Sequence, residues 1–323
     1  MYYQEKLIFS KNLITYLNKE SGRLFIQTHN FPDPDAVASA FGLKGLLDSQ
    51  DIHAEIIYDG ELQRDALIKM IAQLHIPIYH WKQYELIDSD RIIIVDGCKG
   101  NSNVEDLTGK EIAVIDHHKS LTTEDVELID IRPEYGSCST IICEYYQELG
   151  VIPSREAASA MHIGLARDTD LYTRGMTEMD LKALTFLFPY SDLDLVNLIL
   201  RNNIQLSDLD FYRKVLESLM VYKGLAVCYL PEGCPQNLMG ILGDFILSLQ
   251  EINFAALFAN NSDAVSVSFR NNRGDKDASR IMKSFTTGIG RGGGHKEMAG
   301  GIIEKQESPD PEIWFEKLKE LLN

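Results

Sequence analysis

At 323 residues the chain is longer than one compact core usually supports, so two domains are expected. A hydrophobic share of 45% with 24% charged residues is that of a folded globular protein and excludes dominant disorder. The net charge of −17 reads mainly as a solvated acidic surface; it argues against long duplex nucleic acid as a partner and leaves small substrates, or acids clustered around metal ions.

In chain order, residues 5–19 read as an amphipathic helix, and Leu24-Phe25-Ile26 begins a strand over 24–28. A helix from Ala36 to Leu47, a strand at 55–58 and a helix over 63–74 follow. Ile92-Ile93-Ile94-Val95 and Ile112-Ala113-Val114-Ile115 are continuous apolar runs of the kind that form parallel strands buried on both faces. Helical patterns cover 138–149, 154–167 and 178–187. Strands alternating with helices predict an α/β fold with a parallel sheet covered by helices on both faces. Residues 191–222 read as a helical linker with one longer helix near 207–222. A smaller α/β unit then starts, with strands at 224–230, 253–259 and 264–269 and helices at 235–250 and 277–285. The expected division is 1–190, 191–222 and 223–323.

Five cysteines, an odd number without a C-x-x-C pair, argue against a disulfide framework or zinc cage and fit a reducing cytoplasm. The N-terminus has neither the basic start nor the apolar stretch of a secretory signal, and no apolar run approaches the ~18 residues of a membrane span.

Polar clusters sit where three strands end, the rim at which parallel sheets bind ligands. His29-Asn30-Phe31-Pro32-Asp33-Pro34-Asp35 places two carboxylates and an imidazole in a proline-stiffened loop, donors that suit a borderline cation such as manganese. The following helix points its N-terminus at the loop, favourable for phosphate. Asp96 follows the second strand, and Asp116-His117-His118 follows the third. Arg167-Asp168-Thr169-Asp170 closes a helical pattern. Near the C-terminus, Gly288 to Lys296 contains three consecutive glycines beside Arg291, His295 and Lys296. It reads as a glycine-rich turn cradling phosphate or a nucleobase, since no strand leads into it as a dinucleotide fold requires. Between Arg270 and Lys296 seven basic residues face two acids. Each motif alone also reads as a helix cap, a turn or a solvated helix end.

The set H-N-x-x-D-x-D-A, an isolated Asp, D-H-H, D-T and G-G-G-H, in this order over about 24–303, resembles the DHH/DHHA1 phosphoesterases. In length the chain resembles the stand-alone nano-RNA oligoribonucleases that also act on pAp, without the added domains of RecJ-type nucleases or the membrane and sensory segments of large cyclic-di-AMP phosphodiesterases. It departs from the family pattern at Val37-Ala38-Ser39, where Gly-Ser is usual, and at Asp170, where T-D-T-G is usual. The resemblance implies a parallel-sheet DHH domain, a smaller DHHA1 domain and an active site in the cleft between them. It implies His29, Asp33 and Asp96 at one metal and Asp35, Asp96, His117 and Asp168 at the other, with Asp96 bridging. His118 would face the scissile phosphate and Asp116 would support the histidines. Arg270, Arg291, Gly292, Gly293, Gly294 and His295 would hold substrate. The implied activity is two-metal hydrolysis of short RNA or DNA oligonucleotides, pApA or pAp to mononucleotides, with manganese as the expected ion and magnesium or cobalt as alternatives; a homodimer is compatible with this reading. Two other readings share the rim: a pyrophosphatase or exopolyphosphatase, and a non-catalytic nucleotide-binding protein. Phe269 and Phe285, read as base-stacking groups, favour a nucleotide over the first.

Overall fold

The computed structural model describes residues 9–62, 65–101, 103–119, 125–201, 204–262, 264–272, 275–294, 296–304 and 310–322. The chain divides after residue 203 into two compact units.

The first unit opens with helix α1 (Phe9–Leu17) and strand β1 (Leu24–Gln27). Helix α2 (Pro34–Asp48), β2 (Glu55–Tyr58), α3 (Asp65–Gln73) and β3 (Ile78–His80) follow, then β4 (Arg91–Val95), β5 (Lys110–Asp116) and β6 (Leu128–Ile131). Helices α4 (Cys138–Leu149), α5 (Arg155–Asp168), α6 (Glu178–Leu187) and α7 (Leu193–Arg201) complete it. The six strands lie in the order β3-β2-β1-β4-β5-β6, and every neighbouring pair is parallel. The order reverses between β1 and β4, and a crevice opens at such a point because the chain leaves the two strands in opposite directions. One face of the sheet packs under the helices through Leu13, Leu43, Met70, Ile142 and Met161. The other face, with Phe25, Ile57, Ile92, Ile94 and Val114, is closed by Trp81, Tyr84, Leu86, Val104, Leu107 and Val126. The isoleucine runs are therefore buried on both sides, as β-branched parallel strands require.

Helix α2 packs closely on α4 and α5 where its small residues face them. A Cβ at Gly42 would lie 2.6 Å from Met161 Sδ, and one at Gly45 would lie 2.8 Å from the Tyr146 hydroxyl. Each glycine costs helix propensity, about 1 kcal/mol against alanine. The cost is offset by the burial of neighbours such as Leu43 and Leu46, worth roughly 1.5–3 kcal/mol each.

The second unit contains α8 (Leu209–Glu217), β7 (Met220–Tyr222), β8 (Leu225–Leu230), α9 (Gln236–Leu247), β9 (Phe254–Asn260) and β10 (Ala264–Asn271). It ends with α10 (Ala278–Thr286), β11 (Gly290–Gly294), β12 (Met298–Glu304) and α11 (Pro311–Leu322). Its sheet runs β11-β12-β10-β9-β8-β7, antiparallel except for the parallel β8–β9 pair. Helices α10 and α11 cover one face through Met282, Phe285, Trp314 and Leu318; α8 and α9 pack on the other through Val215, Leu242 and Ile246. Residues 191–222 are shared between the units: Val196, Ile199 and Leu200 of α7 belong to the first core, and Val215 of α8 belongs to the second.

Two expectations are corrected here. Gly292, Gly293 and Gly294 are not a turn but part of edge strand β11, paired with Gly301, Gly300 and Ala299 of β12. Glycine reads locally as turn punctuation, yet here it permits close packing: a Cβ at Gly292 would lie 2.5 Å from Met282 Cγ and 2.9 Å from the Gly300 carbonyl oxygen. Phe269 and Phe285 are fully buried in the α10–α11 core, where their rings meet edge to face 5.7 Å apart, so they pack against each other and do not stack on a base. His295 lies outside the described residues. All five cysteines are buried free thiols, and no described helix is long and apolar enough to cross a membrane.

Candidate metal centre

The end of β1 delivers His29, whose Nδ1 lies 2.9 Å from the Asn30 carbonyl oxygen, leaving Nε2 directed at Asp96, 3.7 Å from its Oδ2. Asp33 is the N-cap of α2: its Oδ1 accepts from the Asp35 and Ala36 backbone amides at 2.9 and 3.1 Å. Pro34 follows at N1, where a missing N–H is harmless, so the sequence P-D-P-D both starts the helix and fixes the carboxylate.

Asp35 projects from the first turn of α2 into the protein and is completely buried. Its carboxylate accepts from the amides of Cys138 (2.7 Å) and Ser139 (3.1 Å), at the N-terminus of α4, and from the Ser139 hydroxyl. Gly164, in the middle of α5, leaves the space it needs, since a Cβ there would lie 2.7 Å from Asp35 Oδ1 and 2.5 Å from Ser139 Oγ.

Asp96, just beyond β4, adopts a left-handed backbone (φ 56°) that turns its buried side chain into the centre. Beyond β5, His117 Nδ1 lies 3.2 Å from the Tyr135 carbonyl oxygen, which directs Nε2 inward. That Nε2 lies 3.0 Å from Asp168 Oδ2 and 3.4 Å from Asp96 Oδ1. His118 Nδ1 is 2.9 Å from Asp116 Oδ1, and Asp116 also accepts from the His118 amide. Asp168 ends α5. Residues 170–172 then take three consecutive left-handed conformations, a sharp reversal costing about 1–2 kcal/mol per residue. Asp170 itself is exposed, 3.9 Å from Arg174, and belongs to none of the clusters described next.

Among the described residues, three groups bring potential ligand atoms within 4.8 Å of one another: His29, Asp33 and Asp96; Asp96, His117 and His118; and Asp35, His117 and Asp168. Asp96 and His117 each belong to two of them. Both oxygens of Asp96 and Nε2 of His117 are buried without a hydrogen bond. Buried polar atoms are rarely left unsatisfied, and three that converge on acids and imidazoles have the arrangement a divalent cation would complete. The charges agree. Burial pushes Asp35 well above the usual carboxylate range, with Asp168 and Asp96 adding to it. Burial likewise raises Asp168, to about 6, with Asp33 adding and His117 opposing. Burial would lift Asp96 too, but the neighbouring imidazoles, His117 foremost, hold it below its ordinary value. His117 is held well above the ordinary imidazole value by Asp168 and Asp96 against the effect of burial. Asp35, Asp96 and Asp168, compressed into one rim, thus borrow protons and imidazolium charge that cations would otherwise supply.

Sequence reasoning missed what holds these residues. Asp180, buried at the start of α6, accepts from the Gly136 amide (3.1 and 3.0 Å), the Thr140 hydroxyl (2.6 Å) and the Thr177 amide and hydroxyl (2.8 and 2.6 Å). It pins the turn that presents the Tyr135 carbonyl to His117 and the Cys138 and Ser139 amides to Asp35. The legible signal was the capping box T-x-x-D at 177–180. Asp180→Ala is expected to cost about 2–4 kcal/mol of stability by stranding several donors. It should also weaken divalent-cation binding at the rim roughly 10- to 100-fold. Urea denaturation and calorimetric metal titration check the two effects separately.

In the second unit, the strand register puts Arg270, Ser268, Gly300, Gly293 and Arg291 on one face of the sheet. Arg270 is anchored by Asp244 (2.8 Å), Ser268 Oγ (3.1 Å) and the Phe269 carbonyl (3.1 Å). Gly240 leaves room for its guanidinium, a Cβ there lying 2.7 Å from Nη2.

An uncharacterized protein of Methanocaldococcus jannaschii is 30% identical over 281 residues, covering 87% of this chain and 58% of its own. The cyclic-di-AMP phosphodiesterase GdpP of Bacillus subtilis is 24% identical over 301 residues (85% and 44%). A probable manganese-dependent inorganic pyrophosphatase of Bacillus cereus is 27% identical over 180 residues (54% and 57%). The chain thus spans about half the length of the curated relatives it matches. Among solved structures, an exopolyphosphatase-related protein from Bacteroides fragilis superposes with TM-score 0.80 at 20% identity, covering 99% of this chain and 96% of that one. Residues 23–165 match the DHH family N-terminal domain and residues 223–322 the DHHA1 domain, which together take in the first sheet and all of the second but β7; the chain belongs to the DHH family.

Proposed function

We propose that the protein is a metal-dependent phosphoesterase that hydrolyses short oligonucleotides or small nucleotide phosphodiesters and monoesters, such as pApA and pAp. The observation that carries this reading is Asp96: a buried carboxylate, both oxygens without hydrogen bonds, shared by two potential ligand groups. His29, Asp33 and Asp96 would hold one ion, and Asp35, Asp96, His117 and Asp168 a second. The mixed oxygen and imidazole donors suit manganese, which the name of the Bacillus cereus relative also carries. Divalent ions at such a rim supply an activated water nucleophile and neutralise charge on the phosphoryl oxygens.

The rest of the chemistry belongs to the side chains. Tyr135 fixes the tautomer of His117 by accepting from Nδ1, so that Nε2 serves as ligand. Asp116 holds His118 above the ordinary imidazole value through its hydrogen bond, against burial. In its protonated form the half-exposed His118 is placed to neutralise the phosphoryl group and to protonate the departing oxygen. The N-terminus of α2 adds a favourable field for phosphate. In the second unit, Arg270 and the exposed Arg291 flank a surface poor in side chains, suited to a phosphorylated ligand.

A phosphoanhydride hydrolase is the second reading, favoured by the pyrophosphatase relative and by the burial of Phe269 and Phe285. Product analysis with Mn²⁺ on a 5′-phosphorylated oligonucleotide ladder, pApA, pAp and pyrophosphate separates the two. Mononucleotide release with little phosphate from pyrophosphate is expected; rapid pyrophosphate cleavage with intact pApA would transfer the assignment to the second reading.

A further inference from the structure

We propose that Phe31 is a substrate-contacting, specificity-determining residue: an aromatic platform that stacks a nucleobase beside the metal centre. The proposal rests on the phosphoesterase reading and names which part of the substrate the first unit recognises. Phe31 stands two residues after His29 and two before Asp33, yet 53% of it is exposed. Its backbone is left-handed (φ 55°), a conformation bulky residues rarely adopt and one that persists only where the surroundings impose it.

The surroundings here are specific. The Phe31 amide donates to the Asp59 carbonyl at 2.9 Å, and the ring rests on Gly60, where a Cβ would lie 2.8–3.0 Å from Cδ1, Cε1 and Cγ. Gly60, itself left-handed (φ 80°), is the residue that makes room for the ring. The Asp59 carboxylate accepts from Trp81 Nε1 at 2.8 Å and lies 3.4 Å from His80 Nε2, so the floor under the ring is braced by the ends of β2 and β3. A phenylalanine placed only to fill space would be buried here, as the other core aromatics are. Instead the ring is supported along one side and open elsewhere, at the rim where strands present ligands. Inorganic pyrophosphate has nothing to offer such a surface; a nucleobase has a π-face.

Stacking one base on an aromatic side chain changes affinity roughly 5- to 100-fold. The test is calorimetric binding of adenosine 5′-monophosphate and ribose 5-phosphate to the Mn²⁺-loaded full chain, with pApA hydrolysis measured alongside. The wild type is expected to bind the nucleotide about tenfold more tightly than the sugar phosphate. Phe31→Leu should reduce that ratio to near one, and Phe31→Trp should restore it, with Mn²⁺ affinity equal in all three. No preference in the wild type, or a preference untouched in Phe31→Leu, overturns the proposal. Base preference without hydrolysis of any substrate would remove the phosphoesterase reading and leave Phe31 standing; hydrolysis without base preference would do the reverse.

Discussion

Asp96→Asn should reduce Mn²⁺-dependent turnover on the order of 10³-fold or more while leaving a folded protein. The two halves of that expectation have different causes. Asparagine keeps the size and the left-handed backbone need of the residue, to which Asn is among the best adapted side chains. In the metal-free protein the Asp96 charge is balanced by imidazoles at 3.4–3.7 Å, and these outweigh its burial. Removing the charge therefore costs a modest Coulombic term, about 1–2 kcal/mol, and strands no hydrogen-bond donor, since neither oxygen accepts one. Metal binding, by contrast, loses the one carboxylate common to the His29–Asp33 and His117–His118 groups. Melting curves in chelator should nearly superimpose for mutant and wild type, and the rise in melting temperature caused by Mn²⁺ should vanish in the mutant. A mutant that retains near-normal turnover with metal bound would show that Asp96 is not shared.

The part of this centre legible in the sequence was the part carried by short motifs at strand ends. Asp96 and His117 follow continuous apolar runs whose burial on both faces could be read directly, His29 follows the shorter apolar run Leu24-Phe25-Ile26, and parallel strands bring their ends to one rim. Asp168 was legible only through the family pattern, because nothing local distinguishes it from a solvated helix end. What holds the ligands was hidden for a physical reason. Asp35 meets Cys138 and Ser139 across more than one hundred residues of chain, and Gly164 matters for the space it leaves, which no periodicity encodes. In the second unit local propensity pointed the wrong way. Three glycines in a row read as a turn until their partner, the glycine-bearing strand β12, is known, and then pairing overrides propensity. Phe269 and Phe285 show the converse error: an aromatic beside a basic segment reads as a stacking group, but its strand or helix face decides whether it sees solvent.

Mn²⁺ binding at neutral pH should release protons, and the stabilisation it brings should grow as pH rises from about 5 to 8. Asp168, raised to about 6 in the fold from near 3.8, contributes stability that is fully present below about pH 4 and lost as pH rises through 6. His117, raised above 6.5, behaves in the same sense at higher pH: its contribution is present below 6.5 and lost as pH climbs through its folded value. Both groups must surrender protons to act as ligands, so the metal competes with the protons that quiet the cluster when it is empty. At low pH the protons win and the metal-free fold is comfortable; at pH 8 the acids are ionised, and cations relieve their repulsion. With free Mn²⁺ at about 100 times its dissociation constant, the gain is about 2.7 kcal/mol, or roughly 5–10 °C for a unit of this size. Scanning fluorimetry with Mn²⁺ and with chelator across pH 5–8 measures the gap, and calorimetry in two buffers of different ionisation enthalpy counts the protons. The same chelator should abolish turnover. A gap that stays constant or narrows with rising pH would mean that Asp168 and His117 keep their protons in the loaded protein, and so are not its ligands.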